Sequence, residues 1–183
     1  WRDRGYQWVL DADIVQFFDN INHQRLLRTL RNHLDSSGIL CLIKSWISAG
    51  VLTDEGLVLP EKGIPQGAVI SPMLANIYLD EFDRTIANSD LQLVRYADDF
   101  LLLAPSQERI VQAYSEVVQI LDSIGLTIHR EKTQITSFER GFRFLGHGFL
   151  ENAIFPVDKP KQKDRQEEET VVPVDTIWHQ QLS

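Results

Sequence analysis

Two short apolar runs, residues 91–96 and 100–103, stand on either side of an adjacent pair of carboxylates, Asp98-Asp99. Each run is too short for a buried helix and is rich in leucine, valine and aromatic residues, so each reads as a strand. Their separation is that of a tight hairpin. Such turns favour Asn-Gly or Asp-Gly, not two acids. Carboxylates about 4 Å apart repel by roughly 4 kcal/mol at an effective dielectric near 20. Either water screens the pair in an ordinary surface turn, or a cation offsets the charge. A divalent ion that prefers oxygen ligands, such as Mg²⁺, fits the second case.

A third acid raises the weight of the cation. Residues 6–14 read as a strand, with Trp8, Val9 and Leu10 supplying β-favouring bulk. Asp13 falls at its end, 85 residues before Asp98 (98 − 13 = 85). Asp11 lies two positions earlier and points to the same face of a regular strand. Alone, Asp13 is a strand-end carboxylate. Beside an Asp-Asp hairpin in the same sheet it completes the ligand set for two metal ions, which clamp the attacking and leaving oxygens of an in-line displacement at phosphorus.

The remaining pattern places these strands in an α+β sheet with helices on one face. Asn22 is a helix cap, followed by Leu26, Leu27, Leu30 and Leu34 at helical spacing. A second helix is expected over 39–48, with Cys41 as a small core residue within its apolar run. Residues 51–53 and 57–59 flank Asp54-Glu55-Gly56 as a hairpin. Ser71-Pro72 starts a helix, Ser71 as cap, with Ile70, Leu74 and Ile77 on one face. From Ser106, the positions Ile110, Tyr114, Val117, Leu121 and Ile124 mark an amphipathic helix closed by Gly125. Two further strands are expected near 127–136 and 142–149. Residues 158–170 are charged and almost free of apolar side chains, hence a linker, and 171–183 are more apolar and begin a further segment.

Composition narrows the class. The chain has 183 residues, 43% of them hydrophobic, enough for a real core. Its single cysteine excludes a disulfide framework, and no zinc-ligand spacing occurs. No apolar run is long enough to span a bilayer and no signal peptide is visible, so no membrane partner is expected and a reducing cytoplasm is the default. The net charge of −8 runs against a nucleic-acid enzyme, which normally presents a basic surface. Acids assigned to metal ions soften that objection.

Five segments in order resemble one family. Asp13-Ile14-Val15-Gln16-Phe17-Phe18-Asp19-Asn20-Ile21 resembles the first palm motif of bacterial reverse transcriptases, especially group II intron maturases. The stretch from Gly63-Ile64-Pro65-Gln66-Gly67 to Asn76 is similar to their second motif. Tyr96-Ala97-Asp98-Asp99 matches the third, and Gly125-Leu126-Thr127 through Glu131-Lys132-Thr133 the fourth. Phe144-Leu145-Gly146 matches the Phe-Leu-Gly strand that follows. The resemblance covers residues 7–149 and implies a polymerase palm over residues 1–157, with fingers mostly absent.

That resemblance implies roles. Asp13 and Asp98 are the principal ligands of two Mg²⁺ ions, which Mn²⁺ can replace, with Asp99 supporting. The backbone at Ile14 approaches the triphosphate. Phe18 sits under the incoming sugar, where a ring excludes a 2′-hydroxyl and selects deoxynucleotides. Gln66 and Gly67 touch the nascent base pair and template. Lys132 lies near the leaving pyrophosphate as a general acid. The partners implied are an RNA template, a DNA or RNA primer and deoxynucleoside triphosphates. The short segment after the last motif, followed by the charged linker, resembles reverse transcriptases fused to CRISPR adaptation integrases more than maturases with a long thumb. Since the chain opens on Trp1 in a strand-like segment, it reads as part of a longer protein, and alone it is expected to extend primers poorly. Two other readings use the same residues: a non-catalytic, maturase-like RNA-binding module, and a scaffold that docks an integrase through 171–183.

Overall fold

The computed structural model describes residues 1–53, 56–58, 61–157 and 172–173. After a 3-10 turn at Arg2–Arg4 come β1 (Trp8–Ala12), α1 (Phe17–Asn20), α2 (His23–Arg31), α3 (Ser37–Ile47), β2 (Val51–Thr53) and β3 (Gly56–Val58). Next are α4 (Ser71–Tyr78), α5 (Asp80–Ala87), β4 (Gln92–Tyr96), β5 (Asp99–Ala104) and α6 (Gln107–Ser123). Then β6 (Gln134–Ser137), β7 (Phe142–Phe144), β8 (His147–Leu150), β9 (Ala153–Pro156) and β10 (Val172–Pro173) follow. The chain is α+β, as its element order implied. It forms two compact units: Trp1–Asp13, Ile86–Val118 and Ile128–Ser183 in one, Ile14–Thr85 and Gln119–Thr127 in the other.

The first unit is built on an antiparallel five-stranded sheet of order β10-β6-β1-β5-β4. The register sorts side chains by face, since the strand period is 2. Leu10 pairs with Leu102 and Ile135, and Ala12 with Phe100; all are buried. On the opposite face Val9 pairs with Leu103, and Asp11 with Leu101 and Gln134. A three-stranded sheet, β7-β8-β9, covers the apolar part of that second face. Its Phe142 and Phe144 join Val9, Leu101 and Leu103 in one buried cluster, with Tyr6, Phe138 and Phe149 packed against it.

Two strand expectations are corrected here. Residues 142–149 are not one strand but the β7–β8 hairpin, because Leu145 (φ 48°) and Gly146 (φ 75°) are both left-handed. A two-residue turn with both central φ positive matches the twist of paired strands. In 127–136 the ladder begins only at Gln134. Before it, the amides of Lys132 and Thr133 donate to the His129 carbonyl in a turn, 3.1 and 3.0 Å. Strand β9 carries no strong periodic signal and was not expected.

In the second unit, Asn22 caps α2 as expected, its Oδ1 accepting from the Arg25 amide at 2.9 Å. Helix α3 starts two residues before its expected position, capped by Ser36. It buries Ile43 and Ile47 but leaves Ile39, Leu42 and Trp46 exposed. Cys41 is exposed too, not a core residue, since apolar side chains surround α3 and only one stripe is covered. Ser71 is the first residue of α4 and not its cap; its hydroxyl donates instead to the Pro65 carbonyl at 2.6 Å. The buried face of α4 is Leu74, Ala75 and Tyr78, and the Tyr78 hydroxyl donates to the Ile124 carbonyl at 2.6 Å. That bond rotates the helix from the Ile70/Ile77 stripe expected.

Helix α5 was not anticipated, whereas α6 is: Ser106 Oγ accepts from the Arg109 amide at 3.2 Å, and Gly125 (φ 76°) follows its end. The β2–β3 hairpin forms with Val51 opposite Val58. Its expected turn residues Asp54 and Glu55, and Leu59, lie outside the described residues. So do the linker at 158–170 and most of 171–183; Val172 and Pro173 pair with Ile135 and Gln134. Among the described residues no helix is long and apolar enough to cross a membrane.

Candidate active site

The β1–β5 ladder runs from Trp8–Ala104 to Ala12–Phe100. Asp13 follows directly on β1, and Asp99 opens β5, at the same end of this ladder. Strand β4 closes the hairpin with Tyr96 opposite Asp99, leaving Ala97 and Asp98 as the turn. Asp11 and Asp99 therefore share the second face of the sheet at one end, with Asp13 and Asp98 at the adjoining strand ends. All four are partly buried.

The tip is held in a costly conformation. Ala97 adopts φ 56°, a left-handed value that costs an L-residue roughly 1–2 kcal/mol. Arg95 reaches over from β4 and donates to the Ala97 carbonyl at 2.9 Å. That bond fixes the carbonyl of the strained turn.

The electrostatics follow from crowding. Burial, then Asp13, pushes the Asp98 carboxyl above its ordinary range, against the pull of a backbone amide and Lys132. Asp99 is raised by burial, by Asp13 and by Asp98, and lowered by Lys132. Asp11 is raised furthest, to about 6, chiefly by burial and further by Asp99 and Asp13. Its Oδ2 accepts from Gln134 Nε2 at 2.7 Å, which limits the rise. Burial and crowding thus make the charged forms of these three carboxyls harder to hold than that of a free carboxylate.

Lys132 Nζ donates to Asp13 Oδ2 at 2.8 Å, while the lysine side chain stays 61% exposed. The turn at 129–133 delivers it: the His129 amide donates to the Asp13 carbonyl at 2.7 Å, tying the turn to the end of β1. The donor set suits Mg²⁺ or Mn²⁺, which take carboxylate oxygen. It is not a preassembled cage, however. Among the described residues no three acid, imidazole or thiol groups are gathered closely enough to hold a metal by themselves.

The other expected site residues lie in the second unit. Ile14 is buried, and Phe18 packs edge-on against Phe17 at 5.3 Å between ring centroids. The segment before Gln66 is stitched to this region. Ile64 donates to the Phe18 carbonyl at 2.8 Å and Gly63 to the Ile21 carbonyl at 2.7 Å. Gly63 (φ 91°) has to be glycine on two grounds, since a Cβ there would stand 3.0 Å from the Asp19 carbonyl oxygen. Gly67 also has positive φ (86°), with open space around it, and both Gly67 and Gln66 are exposed. The fold thus brings Phe18 and the loop leading to Gln66 and Gly67 into one unit, and Asp13, Asp98, Asp99 and Lys132 into the other.

A family model described as reverse transcriptase (RNA-dependent DNA polymerase) matches residues 1–149. The chain belongs to the reverse transcriptase family. This reverse transcriptase chain is 30% identical over 180 aligned residues to Protein YkfC of Escherichia coli K12, covering 79% of this chain and 47% of that protein. It is 32% identical over 208 residues to the group II intron-encoded protein LtrA of Lactococcus lactis, covering 78% and 35%. To the retron Ec86 reverse transcriptase of Escherichia coli it is 32% identical over 136 residues, covering 72% and 39%. The chain spans less than half the length of each of these relatives. The fold is shared with apo telomerase from Candida tropicalis, at a TM-score of 0.69 and 16% identity, over 83% of this chain and 33% of that one.

Two polar residues of the acidic end escaped sequence reasoning. Gln134 carries no motif; only the β1–β6 register puts it opposite Asp11. Arg95 was one of several arginines near the motifs, and nothing in the sequence distinguishes the one that clamps the turn.

Proposed function

We propose that this chain is the catalytic core of an RNA-directed DNA polymerase, adding deoxynucleotides to a primer 3′-hydroxyl opposite an RNA template. The observation that carries the reading is that Asp13, just past β1, lies close enough to Asp98 and Asp99 at the β4–β5 turn to raise both carboxyls, within a chain of the reverse transcriptase family. Asp13, Asp98 and Asp99 are the residues to hold two divalent cations, Mg²⁺ with Mn²⁺ as substitute. Bound there, the ions would neutralise charge on the attacking and leaving oxygens of an in-line displacement.

The remaining roles belong to side chains of the chain itself. Lys132 holds the Asp13 carboxylate and, being largely exposed, is free to turn to a leaving pyrophosphate and donate a proton to it. The Phe18 ring is the group to exclude a ribose 2′-hydroxyl beside the backbone at Ile14. Gln66, an uncharged donor and acceptor, and Gly67, which admits close backbone approach, suit a template base pair.

The test is primer extension on an RNA template by the longest natural polypeptide carrying residues 1–183. Asp98→Ala with Asp99→Ala should abolish extension while the melting temperature holds or rises. Undiminished synthesis would sink the assignment. In the same assay, Phe18→Val should raise incorporation of ribonucleotides relative to deoxynucleotides; an unchanged ratio removes Phe18 as the gate.

A further inference from the structure

Helices α2 and α3 pack against each other in the second unit. Helix α2 buries His23, Leu26 and Leu30 and turns Gln24, Arg28 and Arg31 outward. These three, with Leu27 and with Lys44 from α3, line a cleft of about 440 Å³. Arg28 and Arg31 are i, i+3 neighbours, whose Cβ atoms lie roughly 5–6 Å apart. Three exposed cations thus converge on one groove.

What sets them apart is that all three line one cleft with no acidic side chain in it. Several other basic side chains meet acids: Arg84 with Asp80 at 3.0 Å, Arg109 with Asp90 at 2.8 Å and Glu116 at 3.0 Å, Lys132 with Asp13 at 2.8 Å. Among the described residues Arg28, Arg31 and Lys44 form no ion pair, and neighbouring Arg25 is already engaged by Glu81. Residues 23–50 hold Arg25, Arg28, Arg31 and Lys44 against Asp35 alone, a balance of +3 (4 − 1 = 3), in a chain whose net charge is −8. An ordinary solvated helix face mixes signs, because like charges at this spacing destabilise the helix.

We propose that the α2–α3 groove is a docking surface for the phosphate backbone of a nucleic acid. Guanidinium groups bind phosphate bidentately and lysine adds a point charge. The lining contains one apolar side chain, Leu27, so the groove lacks the buried anchor that a protein partner would use. Backbone binding needs only charge and counterion release. This surface does not depend on the polymerase chemistry proposed above: its residues belong to the second unit, and the carboxylates Asp13, Asp98 and Asp99 to the first.

The experiment is fluorescence anisotropy of the full chain with a labelled RNA hairpin, and with its DNA counterpart, across a salt series. Arg28→Gln, Arg31→Gln and Lys44→Gln together should weaken binding by about tenfold or more at low salt. The same variant should flatten the slope of log K against log salt by about 2–3, close to one unit per lost phosphate contact. The charge-keeping set Arg28→Lys, Arg31→Lys and Lys44→Arg should bind within a few-fold of the parent, and circular dichroism should show each variant folded. Loss on the RNA probe alone or the DNA probe alone identifies the source of the phosphate. Asp98→Ala with Asp99→Ala should leave hairpin binding intact, whatever it does to synthesis. The proposal is overturned if the parent chain binds neither hairpin, or if the Gln variant binds as the parent does. An equal loss on removing Arg2, Arg4 and Arg84 instead also overturns it. So does capture of a polyglutamate peptide, but not the hairpins, by the same three residues.

Discussion

The second face of the five-stranded sheet has two halves made from the same strands. At one end Val9, Leu101 and Leu103 are sealed under the β7-β8-β9 sheet, where Phe142 stacks on Phe149 at 4.9 Å and meets Phe138 edge-on at 5.2 Å. Two residues along β1 the same face carries Asp11, and Asp13 follows the strand at the end where Asp99 opens β5. One half lowers the free energy of folding by burying apolar area. The other raises it, by crowding half-buried carboxylates until Asp98, Asp99 and Asp11 all hold their protons above the usual range. Strand β1 shows how these coexist: the apolar half anchors the strand so firmly that its acidic end has no freedom to relax the repulsion. Firm apolar packing beside crowded carboxylates is what separates the two halves.

The comparison can be broken most directly from the apolar half. Phe142→Ala removes the ring at the centre of the aromatic stack and should destabilise the protein by about 3–5 kcal/mol, read from urea unfolding. A loss under about 1 kcal/mol would mean that the β7-β8-β9 layer does not anchor the sheet.

The acidic half should respond in the opposite sense. Because the Asp11 carboxyl titrates near 6 in the fold and near 3.8 unfolded, the native state binds more protons between these values. Stability without added metal should therefore rise as pH falls from about 6 toward 4, the reverse of a salt-bridged acid. Asp11→Asn should stabilise the protein by about 1–2 kcal/mol at pH 7, an effect that fades by pH 4. Equal stability of parent and variant at neutral pH would show that Gln134 fully compensates the buried charge.

The smallest effects test the two tight turns. Ala97→Gly relieves a left-handed alanine and should raise stability by about 0.5–1 kcal/mol, less what glycine gives back in unfolded-chain entropy. Gly146→Ala, at φ 75° with nothing near the new Cβ, should lower it by about 1 kcal/mol. Thermal melts of the pair separate strain at the acidic tip from strain in the aromatic layer; shifts of the same sign would refute the contrast.

Much of this was legible before any coordinates. The β4–β5 hairpin, the existence of β1 within residues 6–14 and the α6 helix follow from period and punctuation, which are local. The family follows from ordered motifs, which are local too. What went unread depends on contacts distant in sequence. The Leu145-Gly146 turn hides inside an apolar run that looks continuous. The rotation of α4 is set by a hydroxyl bond from Tyr78 to Ile124, and the exposure of Cys41 by which stripe of an all-round apolar helix finds a cover. Residues 158–170 lie beyond what the structure describes, so the linker reading stands as an expectation.

The sequence by itself determined which residue types could do chemistry here: three acids at strand ends, a lysine within the fourth motif, and glycines where the backbone needs positive φ. Only tertiary structure decided which of them meet. Strand register, fixed by burial of alternate side chains on two faces, set Gln134 against Asp11, and the turn tied to the end of β1 set Lys132 onto Asp13; no local pattern carries that information.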